Sequence, residues 1–177
     1  MIKNLFLDRD GIINEIVLRG PTVGSPRSLS EFRIRDEFLA FYRRLKKLEV
    51  NLFVISNQPD VARALMSRHE LDEMTILLRD SFEFKEILYC MHDEHANCFC
   101  RKPKPGLITT LLEKYELKKD ESLLIGDGFK DIMAGRNAGI RTVFVARDYN
   151  RENNCYPTHK ITNLEELFTS NILQENQ

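Results

Sequence analysis

Short apolar runs alternate with amphipathic segments along this chain, and several of those runs stop at a polar or acidic residue. Lys3 to Asp8 (KNLFLD), Asn51 to Ser56 (NLFVIS), Lys85 to Tyr89, Ser122 to Ile125 and Arg141 to Val145 (RTVFV) have the length and apolar content of buried strands. Between them, Asp36 to Leu48, Glu70 to Phe82, Gly106 to Tyr115 and Lys130 to Ala138 carry apolar residues at helical spacing. Gly139 follows as a C-terminal cap, and Leu164 to Phe168 reads as a last short helix. Strands that alternate with helices predict βαβ units and a mostly parallel sheet covered on both faces. The expected class is therefore α/β, a three-layer α/β/α sandwich. Such sheets place their chemistry at the carboxyl ends of the strands. Three unconnected strand ends here deliver Asp8, then Ser56 with Asn57, then Asp127.

Length and charge remove several classes of function. The chain has 177 residues, enough for one domain over 1–177. Its formal charge of −1 gives no general electrostatic reason to bind nucleic acid or an anionic membrane. No apolar run approaches the ~20 residues of a membrane helix, and the N-terminal MIKNLFLDRDG lacks signal-peptide architecture. We expect a cytoplasmic monomer. No repeat or low-complexity segment occurs. Arg19 to Ser30 (RGPTVGSPRSLS) is loop-like, and could either line a substrate pocket or simply connect.

Two groups of side chains point to chemistry. Asp8 and Asp10 flank Arg9 just ahead of Gly11, which permits a tight bend. Two converging carboxylates repel unless a cation lies between them, and hard oxygen ligands suit Mg²⁺. Asp127 could add another ligand. The second group is Cys90, His92, Cys98 and Cys100, a C-x-H-x5-C-x-C pattern. Three thiolates and an imidazole complete a tetrahedral set for structural Zn²⁺, leaving no open coordination position. A disulfide framework would leave one clustered thiol unpaired. His95 lies inside the loop but is less well placed than His92, and Cys155 receives no role. The loop at 90–100 ends next to Arg101 and Lys102, which it could hold rigidly.

Four ordered segments resemble the haloacid dehalogenase-like (HAD) phosphatases. FLDRDG at Phe6 to Gly11 is similar to their nucleophile motif, and ISN at Ile55 to Asn57 to the second. RKPKPG at Arg101 to Gly106 is similar to the third and IGDGFKD at Ile125 to Asp131 to the fourth. The resemblance implies a Rossmann-like fold without a large cap domain. It also implies that Asp8 attacks phosphorus and Asp10 is the acid and base. Ser56 and Lys102 would bind the phosphoryl group, with Asn57 as a further phosphate or backbone contact. Mg²⁺ would be held by Asp8, the Asp10 carbonyl and Asp127, with Asp131 supporting that set or orienting Lys102. Arg101 could clamp a second anionic group or be a surface charge, and Lys104 would be solvated or a secondary contact. The zinc loop resembles the branch of D,D-heptose 1,7-bisphosphate 7-phosphatases and histidinol-phosphatases. The segment LRGPTVGSP at Leu18 to Pro26 and the residue Gly128 depart from the usual heptose pattern.

The expected activity is thus Mg²⁺-dependent phosphomonoester hydrolysis on a small sugar phosphate, heptose 1,7-bisphosphate first. Histidinol phosphate is the alternative substrate, and an inactive zinc-loop binding module the alternative of another class. No nucleophile or phosphate lysine is missing, as that last reading would require.

Overall fold

The computed structural model describes residues 1–150 and 156–174, so Cys155 lies outside the described residues. In chain order the elements are β1 (Asn4–Leu7), β2 (Val17–Arg19), β3 (Thr22–Gly24), α1 (Asp36–Leu45), β4 (Asn51–Asn57), α2 (Arg68–Ser81) and β5 (Glu86–Cys90). They continue with α3 (Gly106–Lys114), β6 (Ser122–Gly126), α4 (Phe129–Ala138), β7 (Arg141–Val145), β8 (His159–Ile161) and α5 (Glu166–Thr169). Six strands form one sheet in the order β5-β4-β1-β6-β7-β8. Every pairing in it is parallel.

The strands are buried on both faces because their side chains alternate between two apolar layers. Leu5, Leu7, Leu52, Val54, Leu123 and Ile125 join one core with Phe38, Phe41 and Leu45 of α1, Leu71, Met74 and Leu78 of α2, and Leu167 of α5. Phe6, Phe53, Ile55 and Leu124 join the other, with Leu107, Ile108 and Leu111 of α3 and Ala134 and Ala138 of α4. Helices therefore cover both faces, which is the three-layer α/β sandwich expected. Each fully buried Leu, Ile or Phe contributes about 1.5–3 kcal/mol relative to exposure.

Local signals set the boundaries. The Ser67 hydroxyl accepts from the Glu70 amide at 3.1 Å, so α2 starts at Arg68, earlier than apolar spacing alone indicates. Gly139, at φ 77°, caps α4 in the left-handed region. The first helix was expected to run to Leu48 but stops at Leu45. Leu48 is exposed and gives the next turn no buried face. The stretch read as a loop, Arg19 to Ser30, contains part of a β-hairpin. There β2 pairs antiparallel with β3, turning at Gly20 with φ 62°. Its residues are half-buried or exposed, so no buried alternation marked it in the sequence. The three-residue strand β8 was likewise not anticipated. Among the described residues no helix is long and apolar enough to cross a membrane.

Strand order fixes where a site can form. From β1 the chain steps to β4 and β5 on one side, then crosses back to β6, β7 and β8 on the other. A crevice opens outside the carboxyl ends of strands where connections diverge in this way.

Candidate active site

The carboxyl ends of β1, β4 and β6 meet at that crevice, a cleft of about 780 Å³. Asp8 follows β1, and its backbone amide donates to Ile125 O of β6 at 3.0 Å. Asp127 follows β6, and Ser56 and Asn57 end β4. Lys102 arrives on the loop between β5 and α3. Asn57 clamps it there: its amide nitrogen donates to Lys102 O at 2.9 Å, while its Oδ1 accepts from the Lys102 amide at 3.0 Å. Of the two uses open to Asn57, phosphate or backbone contact, its side chain is engaged in the second.

The Lys102 ammonium is almost completely buried and all its hydrogens have acceptors. It meets Asp8 Oδ1 at 2.7 Å, Asp131 Oδ1 at 2.5 Å and Ile55 O at 3.0 Å. Burial alone would lower its pKa, but the charges of Asp131 and Asp8 raise it above the usual lysine value. The ammonium is therefore a fixed positive charge beneath the cleft. Asp131, at the start of α4, also accepts from the Gly128 amide at 2.9 Å.

The acids show the opposite strain. Asp8 is raised well above the usual carboxylate value, first by burial and then by Asp131. Asp127 is pushed up to about 6, again by burial and then by Asp131. Carboxylate oxygens of Asp8, Asp127 and Asp131 lie within 4.8 Å of one another. Buried, mutually repelling oxygens of this kind fit a hard divalent cation. The side chain of Asp10 does not join the cluster. Its Oδ1 accepts from Arg9 Nε and Asn14, both at 2.9 Å, and its Oδ2 from Arg9 Nη2 at 3.2 Å and Gln58 at 2.8 Å. Burial would raise the Asp10 carboxyl, but the Arg9 charge and these hydrogen bonds hold it below its usual value. Gly11, at φ 85°, allows the chain to turn directly after Asp10. A Cβ there would collide with Asp127 and with the Tyr149 hydroxyl.

Several residues of this site were not singled out from the sequence. Arg9 is fully buried, with its guanidinium 5.5 Å from the Phe32 ring centroid and 5.7 Å from that of Tyr89. Asn14 and Gln58 are fully buried too. The Tyr149 hydroxyl donates to Asp127 Oδ2 at 2.5 Å, and Asn150 donates to the Asp127 carbonyl at 2.8 Å. The only sequence signal was polarity adjacent to a strand end, shared by Arg9 and Gln58.

The second cluster sits beside the cleft. Cys90 ends β5, and Cys98 and Cys100 return to it. The sulfur atoms of Cys90, Cys98 and Cys100 are 3.3–3.6 Å apart, and His92 Nδ1 is 3.3 Å from Cys100 Sγ. A tetrahedral zinc with ~2.3 Å bonds to sulfur requires sulfur atoms about 3.7 Å apart, so these donors fit it. All three thiols are free of disulfides. Burial pushes the Cys90 thiol up to about 12. His95 is outside the four-residue cluster. Arg101 donates to His92 O at 3.2 Å and lines the cleft, whereas Lys104 turns away to Asn97. Arg19, Thr22, Val23 and Ser25, on and beside the hairpin, line the same cleft, so this stretch does face the candidate site.

Comparison with known proteins gives a consistent result. A family described as HAD-hydrolase-like matches residues 99–167. The D-glycero-beta-D-manno-heptose-1,7-bisphosphate 7-phosphatase of Helicobacter pylori is 33% identical over 146 residues, 78% of this chain and 80% of that protein. The D-glycero-alpha-D-manno-heptose-1,7-bisphosphate 7-phosphatase of Photorhabdus laumondii is 30% identical over 158 residues, 82% and 83% of the two chains. The fold is similar to the crystal structure of D,D-heptose 1.7-bisphosphate phosphatase from B. bronchiseptica complexed with magnesium and phosphate. The TM-score is 0.82 at 23% identity, covering 98% of this chain and 100% of that one.

Proposed function

This chain belongs to the HAD-like phosphatases, and from that premise we propose that it removes the 7-phosphate of D-glycero-D-manno-heptose 1,7-bisphosphate in a Mg²⁺-dependent reaction. The observation that carries the chemistry is the Lys102 ammonium buried between Asp8 and Asp131 at the mouth of the sheet. The names of the relatives support the choice of sugar.

Asp8 Oδ attacks phosphorus and the bond to the sugar oxygen breaks, giving an aspartyl-phosphate. Lys102 holds Asp8 in place and offsets the charge that gathers on the phosphoryl oxygens. Ser56 donates its hydroxyl to one of those oxygens. Asp10 gives a proton to the leaving sugar alcohol, then takes one from the water that attacks the aspartyl-phosphate. The Arg9 contact holds Asp10 ionised, so proton delivery requires substrate to raise its proton affinity. An adjacent phosphoryl dianion does that, since like charge favours the neutral acid. Asp8, Asp127 and the Asp10 carbonyl would hold Mg²⁺, which, when bound, supplies charge neutralisation between nucleophile and dianion. Cys90, His92, Cys98 and Cys100 would hold Zn²⁺ as a structural clip, and Arg101 beside it would meet the second phosphate.

A panel of sugar mono- and bisphosphates with histidinol phosphate and nucleotides, assayed with Mg²⁺, tests this reading. The highest kcat/KM is expected for one anomer of the heptose 1,7-bisphosphate, with phosphate lost from C7. Preference for histidinol phosphate would replace the substrate assignment. Asp8→Asn should abolish turnover while the protein still folds; retained activity would sink the mechanism.

A further inference from the structure

One fully buried side chain touches both halves of the proposed machinery. Gln58 follows β4 by one residue, and its backbone amide donates to Cys90 O at 2.7 Å, which pins it to the end of β5. Its carboxamide nitrogen has two hydrogens. One goes to Asp10 Oδ2 at 2.8 Å and the other to Ser56 Oγ at 2.9 Å. The flipped amide would set Oε1 against the Asp10 carboxylate, oxygen facing oxygen, so the nitrogen must point this way. In that orientation Gln58 Oε1 is buried with no hydrogen-bond partner among the described residues. The amide is therefore oriented by its two donor contacts and not by its oxygen.

The direction of these bonds has a chemical consequence. Ser56 Oγ accepts from Gln58, so its own proton is left to be donated elsewhere, and Ser56 lines the cleft. Asp10 is at the same time held from one side by Arg9 and from the other by Gln58. We propose that Gln58 is a positioning residue that couples the two groups. Its single amide nitrogen sets the Asp10 carboxyl at the leaving oxygen and turns the Ser56 hydroxyl to donate to the phosphoryl group. The proposal rests on the phosphatase reading above, and assigns Gln58 no contact with substrate.

Gln58→Met keeps the length and bulk of the side chain and removes both donors. Its effect should depend on the leaving group. A sugar alkoxide needs the Asp10 proton in order to leave, whereas p-nitrophenolate leaves with little help. General acid catalysis contributes roughly 10²–10⁴-fold where it is needed. We expect kcat/KM, which reports formation of the aspartyl-phosphate and not its hydrolysis, to fall by about 30-fold or more on the heptose 1,7-bisphosphate, or on whichever sugar phosphate the wild type turns over best. On p-nitrophenyl phosphate the loss should be only several-fold, from the misdirected Ser56. The kcat, which also carries the Asp10-assisted hydrolysis of the intermediate, should fall on both substrates. Wild-type kinetics, or equal losses of kcat/KM on both substrates, would overturn the role of Gln58. If the Met variant does not fold, Gln58→Ala, which leaves room for a water, carries the same comparison. Failure of both to fold would mark the residue as structural and overturn the role as well. A wild-type protein that hydrolyses neither substrate overturns the phosphatase reading itself, and so is distinct from a failure of the Gln58 assignment alone.

Discussion

At the scale of single residues, the cleft is organised by polar groups that the core has swallowed whole. Arg9 is the largest of these. It stands between two acids in the sequence, where a charged side chain would ordinarily be solvated, yet it is fully buried and bonded to both oxygens of Asp10. Removing one partner of a buried ion pair leaves an uncompensated charge, so Arg9→Met should destabilise the fold at neutral pH by on the order of 3 kcal/mol. The sign with pH follows from Asp10. Its folded pKa lies below the ordinary value, so the pair contributes fully above about pH 4 and is lost as pH falls through the folded value. Urea midpoints of wild type and Arg9→Met should therefore differ most near pH 7 and draw together as the pH falls below about 4. A gap that does not change with pH would show that Arg9 acts by packing alone. Asp8, Ser56 and Asp127 could be read from the sequence because each closes or follows an apolar run, and Lys102 through the resemblance of RKPKPG to a family motif. Arg9, Asn14, Gln58 and Tyr149 could not, since their contacts depend on how distant segments settle in three dimensions.

At the scale of elements, what the sequence showed followed burial. The five longer buried strands carry continuous apolar runs, and all five were visible. The hairpin β2–β3 and the three-residue β8 were not, because Leu18 and Val23 are exposed and short strands carry little pattern. The loop from Cys90 to Cys100 lies between these cases: metal-ligand spacing made it legible without any hydrophobic period. It joins the end of β5 to Lys102, and Arg63 ties its Asp93 to the segment after β4 through paired contacts of 2.8 Å. Cys98→Ser removes one of four donors from the clip. Elemental analysis should find less zinc retained after dialysis against a mild chelator. Activity should fall by roughly 10–100-fold, as when groups supporting a metal site are lost, because the loop leading into Lys102 is no longer stapled. Full activity in zinc-free protein would separate the loop from catalysis.

At the scale of the whole molecule, the site stands against the stability of the fold that carries it. The crevice between β4, β1 and β6 gathers Asp8, Asp127 and Asp131 where water is scarce. The charged forms of Asp8 and Asp127 are disfavoured there. A carboxyl raised to about 6 in the folded chain binds its proton more tightly folded than unfolded. The penalty is absent below about pH 4 and complete above the folded value. At pH 7.5 it amounts to on the order of 3 kcal/mol for Asp127. Asp127→Asn removes the charge and keeps an oxygen for the Tyr149 hydroxyl. In EDTA this variant should therefore melt several degrees above wild type, since ~1 kcal/mol shifts a domain of this size by about 2–4 °C. Excess Mg²⁺ should close that gap. Wild type gains about 2.7 kcal/mol at a hundredfold excess of cation over Kd, whereas the variant has lost a carboxylate ligand and gains little. Melting curves of both proteins with and without Mg²⁺ decide the matter. If the variant is no more stable in EDTA, or responds to Mg²⁺ as wild type does, Asp127 is not a metal ligand held at a cost to the fold.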